Sequence, residues 1–519
     1  MRPVATASTE QVYEEAFERS RAHAERVESM LQSEDMKHKE HGELEQFMFE
    51  QKNEWGRLML EDNLRYRAIL EQRRQVVDAE GKEHKIVRGS ERHLETVVGR
   101  VSVPRLAYQS PGSADLHPMD AALNLPQELF SHGVRHLVAR EAAMSSYDEV
   151  VDRVATYTGA KISKRQVEEL AVRASRDFEA FYEERAQSRA PSEDLLVIST
   201  DGKGIVMRHE DLREGTKRAA EQSNHKLQTR LSAGEKRNRK RMAQVATVYS
   251  VAPHVRRPVD IVHRLREPDK PDTQRPRPTD KRVWASVQQA GAAVIREAFE
   301  EAQRRDPEHS RRWVVLVDGE PKQLRAVKAE ARRLEVEVTI LADIVHVIEY
   351  IWDAARAIFG PSSAEAEKWV ANRLLALLGG RSGGEVAKTI RWWQARAELD
   401  KSANKAIDST CRYLSNRKRT RIMRYDEALA AGFPIATGVI EGACRYLVKD
   451  RMDRGGARWS LTGAEAVLRL RALRASNDFD EYWQFHLEQE RLRNHASRYQ
   501  DAKIPDPMPR PRPKLRRVK

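Results

Sequence analysis

The sequence predicts an α/β protein in which one sheet-forming segment is set among helical ones. Between about 192 and 345, short apolar runs rich in β-branched residues alternate with stretches of helical periodicity. The regions before and after are mainly helical in pattern. One isolated β-rich pair of runs stands between 92 and 108. In chain order, residues 8–80 are highly charged, with weak apolar stripes at Val27, Met30 and Leu31 and at Leu58, Leu60 and Leu64, as in a helical arm or dimerisation element. Arg92–Val98 and Val101–Tyr108 then predict a hairpin, with Gly99-Arg100 as a two-residue loop and Pro104 marking an edge strand.

Helical periodicity returns over Val134–Met144 and Tyr147–Tyr157. A turn at Thr158–Ile162 leads to Ser163-Lys164-Arg165-Gln166, a capping box that starts a third helix. This outlines a helix-turn-helix with Lys164 and Arg165 where a recognition helix meets DNA. A plain three-helix packing unit fits the same spacing. Strands are expected at 195–200, 205–208, 244–251, 313–317 and 336–341, and helices at 284–304 and 321–333. Three strands followed by helix–strand alternation fit an α/β domain of the ribonuclease H type. From 344 to 430 the pattern is helical, with Trp352, Phe359, Trp369, Leu374, Leu375 and Trp392 as candidate core. The expected organisation is therefore a charged helical segment (1–84), a hairpin and helix-turn-helix region (85–190), an α/β core (191–345), a helical insertion (346–430), a C-terminal helical part of the core (431–498) and a tail (499–519). The tail alternates Pro with Arg and Lys and is expected to be a disordered basic arm.

Composition narrows the function. The 519 residues suffice for about three domains of roughly 150 each. With 40% hydrophobic and 33% charged residues, the chain reads as a soluble, helix-rich protein. Its 92 basic and 79 acidic residues give a net charge of +13, which attracts polyanions through counterion release. Cys411 and Cys444 are too few for a disulfide framework or a four-ligand zinc site and suit a reducing cytoplasm. No apolar run approaches a membrane span, and the N-terminus lacks a signal-peptide pattern, so a cytoplasmic location is expected.

Three carboxylates carry the chemistry. Leu195–Thr200 runs into Asp201-Gly202, Trp313–Val317 runs into Asp318-Gly319, and Glu441 lies on a probable helix. An Asp-Gly after a strand is also a common turn, in which Asp bonds the local backbone and Gly supplies positive φ. If Asp201 closes the first strand and Asp318 the fourth, parallel neighbours bring the two within reach of shared metal. On a helix, Glu441, Arg445 and Lys449 line one face, while Ile440, Cys444, Leu447 and Arg451 occupy an adjacent stripe, the first three apolar enough to pack on the sheet. A solvated Glu–Arg pair is the plainer reading of that face. Three carboxylates so placed can bind two divalent cations for phosphoryl transfer.

The stretches Leu195–Gly204 with Val206-Met207-Arg208, Val315–Gly319 and Pro434–Arg445 resemble bacterial insertion-sequence transposases of the DDE type, the ISKra-type group in particular. Gly234–Met242, Lys449–Met452, Gly456–Trp459, Gly463–Leu468 and Asp478–Trp483 extend the resemblance over about 85–495. It implies a ribonuclease H-like core with an all-helical insertion, and Asp201, Asp318 and Glu441 as catalytic ligands of Mg²⁺ or Mn²⁺. It also implies double-stranded DNA as partner and at least a dimer on DNA. Asp343-Ile344-Val345-His346 resembles an accessory element of related transposases. Asp343 would cap a helix and His346 would face the cleft or the core, contacting DNA in the former case.

The remaining candidates are basic. Lys217–Arg241 is dense in Lys and Arg, ending in Arg237-Asn238-Arg239-Lys240-Arg241. Phosphate contacts are expected of Arg237, Arg239, Lys240 and Arg241, against the plainer reading of a solvated loop. Lys203, Arg445, Lys449 and Arg458 are further expected DNA contacts, and Trp459 is expected either to stack on a flipped base or to sit in the core. Two rival functions keep parts of this reading: a structure-specific nuclease without strand transfer, and a helix-turn-helix regulator with a degenerate core.

Overall fold

A computed structural model describes residues 9–185, 193–222, 235, 239–266, 275–361, 363–416 and 421–507. It is a mixed α/β protein, 57% helical. The chain divides into two compact units, one of residues 1–183 with 479–519, the other of 184–478.

In the first unit, strands β1 (Ile86–Thr96) and β2 (Gly99–Gln109) pair antiparallel, with Thr96 opposite Gly99. The loop is therefore Val97-Val98 rather than Gly99-Arg100. Gly99 opens β2 with φ +112°, a value that disfavours a side chain, and Thr96 Oγ1 donates to its carbonyl at 2.6 Å. Leu94, Val101 and Val103 bury against Leu64 of the long helix His41–Ile69 and against Met119. Period-two burial along β2 produces this one-sided packing.

The three expected helices form at His132–Ala142, Tyr147–Thr158 and Lys164–Ala174. Capping boxes at Ser146/Glu149 and Ser163/Gln166 start the second and third, and Gly159, with φ +69°, ends the second. Val134, Val138, Val150, Val154, Val167 and Leu170 are buried on their inner faces. Helix Phe479–Asn494 belongs to this unit, its Tyr482 hydroxyl donating to the Ala174 carbonyl at 2.7 Å. The expected core segment 431–498 thus divides at Asp478. The tail also begins later than expected. Tyr499 is buried with Val76, Tyr108 and Leu116, Ile504 packs beside them, Arg74 bonds the Pro505 carbonyl, and Pro507 pairs with Arg74. Residues 508–519 lie outside the described residues.

The second unit is built on a five-stranded sheet in the order β5-β4-β3-β6-β7, comprising β3 (Leu195–Val206), β4 (Lys240–Val251), β5 (Thr279–Ser286), β6 (Trp313–Val317) and β7 (Val338–Ala342). β3 with β4 and β4 with β5 are antiparallel; β3 with β6 and β6 with β7 are parallel. Two expectations change. The runs 195–200 and 205–208 are mostly one strand, because Gly202-Lys203-Gly204 continues the ladder against Met242–Gln244. A Cβ on Gly204 would come within 2.9 Å of the exposed Lys240 side chain, which would have to shift to admit it. Residues 279–286, whose end was assigned to a helix beginning at 284, form a strand instead, and helix Gly291–Arg305 starts after it. Val283, Trp284 and Ala285 are all buried, so no amphipathic alternation marks them as strand.

Helix Gly291–Arg305 is tied to β5 by Glu301, which accepts from Arg282 at 2.7 Å, Arg304 at 2.9 Å and Arg305 at 2.6 Å. The helical segment follows as Ile344–Phe359, Ala364–Leu378, Gly383–Gln394, Lys401–Ser415 and Tyr425–Ala430. Trp369 and Leu374 are core, and Trp352, Phe359 and Leu375 are half-buried. Trp392 is not core: it is 52% exposed, with the Arg396 guanidinium 3.7 Å from its ring centroid.

Two stability outcomes follow from this packing. Truncation after Asp501 removes Ile504 and the carbonyl partner of Arg74, and is expected to destabilise the first unit by about 1–3 kcal/mol; an unchanged thermal melt would show that 502–507 contributes nothing. Burial opposes ionisation of Glu301 and Glu490, yet nearby guanidiniums (Arg282 and Arg305; Arg135 and Arg176) bring each carboxyl down to about 2. Their folded pKa lies below the ordinary value of about 4.3. Their stabilisation is therefore full above that value and is lost as pH falls towards 2. Melting temperature should fall steeply between about pH 4.5 and 2, and Glu490→Gln should flatten part of that fall.

Candidate active site

The parallel register sets the acids side by side. Ser199 pairs with Leu316 across β3 and β6, and Val317 pairs with Ala342 across β6 and β7. Continuing each ladder puts Asp201, Asp318 and Asp343 in one row across three neighbouring strands. The strands are about 4.8 Å apart. Asp201 does not close its strand as expected, since β3 runs on to Val206. It stands instead just past the last residue of β3 that pairs with β6. Asp318 follows β6 directly.

Each acid is held differently. Asp201 accepts from the Gly202 amide at 2.6 Å and from the Cys444 thiol at 3.2 Å. Asp318 accepts from the Glu320 amide at 2.8 Å, and Gly319 has φ +85°, so Asp318-Gly319 does form the local turn that its sequence allows. Gln323, in the helix Pro321–Arg333, reaches back to the carbonyl and hydroxyl of Thr200 at 2.8 and 3.0 Å. That contact ties the segment after Asp318 to the residue before Asp201.

Asp343 is 4% exposed and fully engaged: it accepts from the Val345 amide at 3.0 Å, the Thr437 amide at 3.1 Å and the Thr437 hydroxyl. It caps the helix Ile344–Phe359 and joins it to the segment leading into Glu441. His346, one turn into that helix, is partly exposed and 3.4 Å from Glu349. Glu441 lies on the short helix Gly438–Ala443. Its carboxyl is pushed above the usual range by partial burial, then by the charges of Asp343 and Glu349, with a smaller contribution from Asp201. His346 opposes the shift. Glu441 therefore shares one field with Asp201 and Asp343.

Directly after it, Cys444–Lys449 winds as a π-helix. Such i→i+5 turns are rare and occur often at functional sites. They also break the four-residue stripe on which Glu441, Arg445 and Lys449 were expected to align. Arg445 and Lys449 are exposed, and Arg445 lies 3.9 Å from Asp450. Ile440, Cys444 and Leu447 are buried, as expected of residues packing on the sheet, and Arg451 is buried with them.

Among the described residues, no Lys or Arg lies within ion-pair distance of Asp201, Asp318, Asp343 or Glu441. Carboxylates with no Lys or Arg at ion-pair distance could offer oxygens to a hard cation. Asp201, Asp318 and Glu441 do not bring ligand atoms all within 4.8 Å of one another. The described set that does is Asp177, His486 and Glu490 in the first unit. There the oxygens already have partners: Asp177 accepts from His486 at 2.6 Å and from Arg493, and Glu490 accepts from Arg135 at 2.7 Å, from Arg493 at 2.7 Å and from Arg176. Arg135 also meets His486 Nε2 at 3.2 Å. A metal would have to displace guanidiniums, so this cluster is a buried ion network.

The basic candidates disperse. Lys203 lies on β3 two residues from Asp201, hence on the same face, and Lys240 is exposed on β4 opposite Val206. Arg239 is partly buried, and Arg458 is exposed. Arg241 does not extend freely towards solvent: it donates to the carbonyls of Val287 at 2.8 Å and Asp211 at 3.2 Å. Arg237 lies outside the described residues, as does most of the basic insertion. Trp459 is not a stacking platform. It is 5% exposed, its indole donates to the Met452 carbonyl at 3.0 Å, Arg451 covers its ring, and its backbone pairs with the end of β3. In the first unit, Lys164 lies 2.5 Å from Asp148 and Arg165 2.9 Å from Glu169, both on the surface.

Sequence reading missed Cys444, Gln323 and Thr437, the residues that hold the acids. Only Cys444 carried a signal, three residues after Glu441 on the sheet-facing stripe. No protein-family model matches this chain, and no curated protein matches it.

Asp343 gives a direct test of its assignment. Asp343→Asn keeps the shape but replaces a buried acceptor of three hydrogen bonds, and is expected to cost about 2–3 kcal/mol of stability in metal-free buffer. Unchanged stability with weakened Mg²⁺ binding would instead make Asp343 a ligand.

Proposed function

We propose that this chain is a DDE-type transposase, with Asp201, Asp318 and Glu441 as the ligands of two Mg²⁺ or Mn²⁺ ions on a ribonuclease H-like core. The observation that carries the reading is the shared register that aligns Asp201 with Asp318, beside a Glu441 whose carboxyl feels Asp201. The strand order, with β3 central, β4 and β5 on one side, β6 and β7 on the other and only β4 reversed, supports such a core. So does the long helical segment between Asp343 and Glu441. The net charge of +13 favours DNA as substrate.

Two bound divalent ions would supply an activated nucleophile and stabilisation of the leaving 3′-oxygen in an in-line displacement. The chain's own residues provide the frame. Asp201 is oriented by the Gly202 amide and the Cys444 thiol, which leaves its acceptor capacity only partly used. Asp318 is fixed by its turn, with Gln323 holding that turn to β3. Glu441 reaches the row from a helix anchored through Thr437 and Asp343. Lys203, on the same face as Asp201, and the exposed Lys240, Arg445, Lys449 and Arg458 are suited to position a DNA backbone. Lys164 and Arg165, at the start of the third helix of the first unit, would read the element ends, after exchanging Asp148 and Glu169 for DNA. Strand transfer by a freed 3′-hydroxyl needs no Ser or Tyr nucleophile, and pairing of two ends needs at least a dimer on DNA.

Asp201→Asn, Asp318→Asn and Glu441→Gln should each lower metal-dependent cleavage of a labelled element end by at least a thousandfold, with DNA affinity within about threefold of the parent. Near-parental cutting by any one variant would remove that residue from the set. Joined products from the parent would separate a transposase from a nuclease of the same core, which yields nicks alone. DNA binding with no metal-dependent cutting by the parent would favour the regulator.

A further inference from the structure

The first unit contains a cavity of about 220 Å³ remote in sequence from the acidic row, formed where the hairpin, the segment 115–127 and the end of helix Phe479–Asn494 meet. Its wall holds three guanidiniums and two imidazoles beside the carboxylates of Asp115 and Asp120. Arg92, Arg105 and Arg498 line it together with His117 and His495. We propose that this cavity binds a phosphate group, held by Arg498 and by the protonated rings of His117 and His495.

The hydrogen bonds around the wall define what remains to be satisfied. Arg92 donates to the carbonyls of Pro126 at 2.8 Å and Glu128 at 2.6 Å, which fixes the loop that closes the cavity. Arg105 pairs with buried Asp120 at 2.9 Å, with Arg92 3.8 Å from the same carboxylate. The second acid, Asp115, takes two bonds from Gln109 at 2.7 Å and lies 3.7 Å from Arg88. Both negative charges therefore have their own cations or donors. Arg105 Nε and Asp120 Oδ1 are buried without hydrogen-bond geometry, despite their proximity. Arg498 uses one nitrogen on the Asp115 carbonyl, at 3.0 Å. A guanidinium has further donors to offer.

The two histidines are preset for the same ligand. His117 Nδ1 meets the Leu106 carbonyl at 3.1 Å, and His495 Nε2 meets the Leu125 carbonyl at 2.8 Å. A carbonyl can only accept, so those nitrogens carry the proton in the neutral rings. His117 Nε2 and His495 Nδ1 then become donors only when the rings are protonated. Burial disfavours that charge in both, with Arg105 adding to the effect at His117 and Arg498 at His495. Asp120 opposes it at both, Asp115 at His117, and Glu490 at His495. A bound anion would tip this balance towards the cationic rings. A phosphate group accepts at every oxygen, which matches the remaining donors of Arg498 and the N–H groups that the two rings gain on protonation. Binding should therefore take up protons and strengthen as pH falls.

Titration calorimetry on the full chain tests this with sulfate as probe, because sulfate keeps one charge state from pH 8 to 6. The expected result is a saturable site whose affinity rises at least threefold between pH 8 and 6, with proton uptake visible as a dependence on buffer ionisation heat. His117→Asn keeps a donor for the Leu106 carbonyl. This variant and Arg498→Gln are each expected to weaken sulfate binding at least tenfold, without change in melting temperature. If either variant melts lower, His495→Asn replaces it. A duplex-DNA arm at fixed salt identifies the source. Parallel loss of duplex affinity assigns the cavity to a backbone phosphate, and unchanged duplex affinity assigns it to a free phosphate or phosphomonoester. No saturable sulfate binding by the parent, or equal binding by parent and variants, overturns the proposal. None of these readouts depends on catalysis at Asp201, Asp318 and Glu441.

Discussion

Parallel pairing of β3, β6 and β7 is the constraint on which the acidic row depends. Leu195–Ile198 of β3 and Trp313–Val317 of β6 are wholly buried, and β7 buries Leu341 and Ala342 at its end. Burial of these runs holds the strands in the sheet interior, and the parallel ladders set their register. Once Ser199 faces Leu316 and Val317 faces Ala342, the next residues out carry Asp201, Asp318 and Asp343 to one level. The carboxyl ends of parallel strands are where open α/β sheets place their ligands. Here that position is acidic on three adjacent strands.

The electrostatics separate this row from the rest of the molecule's buried charge. Glu301 and Glu490 are surrounded by guanidiniums and ionise more readily than an ordinary carboxyl. Glu441 ionises less readily, through partial burial first and then the charges of Asp343 and Glu349. The same side chain thus serves two ends. Where Arg supplies the countercharge, the result is a closed network that holds elements together, as between β5 and helix Gly291–Arg305. Around Asp201, Asp318, Asp343 and Glu441 no described Lys or Arg comes to ion-pair distance, and no such closed network forms. The Asp177–His486–Glu490 cluster, metal-like in its composition, falls on the closed side of that division.

The segments around the row support it without joining it. Thr437 and Asp343 link the start of one helix to the segment carrying Glu441, and Gln323 links the turn after Asp318 to β3. The Cys444 thiol reaches Asp201 from the first turn of a π-helix. These contacts join residues far apart in sequence, so loosening one should be felt by acids on other elements. The first unit is organised by different means, a hairpin face, three capped helices and the ion network of Asp177, His486 and Glu490.

Local chemistry by itself determined much of this. Ser163 with Gln166, and Gly159 before them, set a helix boundary through backbone groups a few residues away, which any reader of the chain can locate. The apolar runs before Asp201 and Asp318 likewise identified two adjacent strands and the acids beyond them. Period-two signals failed where a strand is buried on both faces, as at Val283–Ala285, and where glycines carry a ladder onward, as at Gly202–Gly204. Only the tertiary structure decided which polar residues were already engaged. It put Trp459 in the core, bound Arg241 to two carbonyls, made Asp343 a cap, and gave Asp201 a thiol donor. The physical reason is range: caps and turns close within about four residues, whereas the contacts that tie the acids to other elements join residues 94 to 243 positions apart, which no local pattern records.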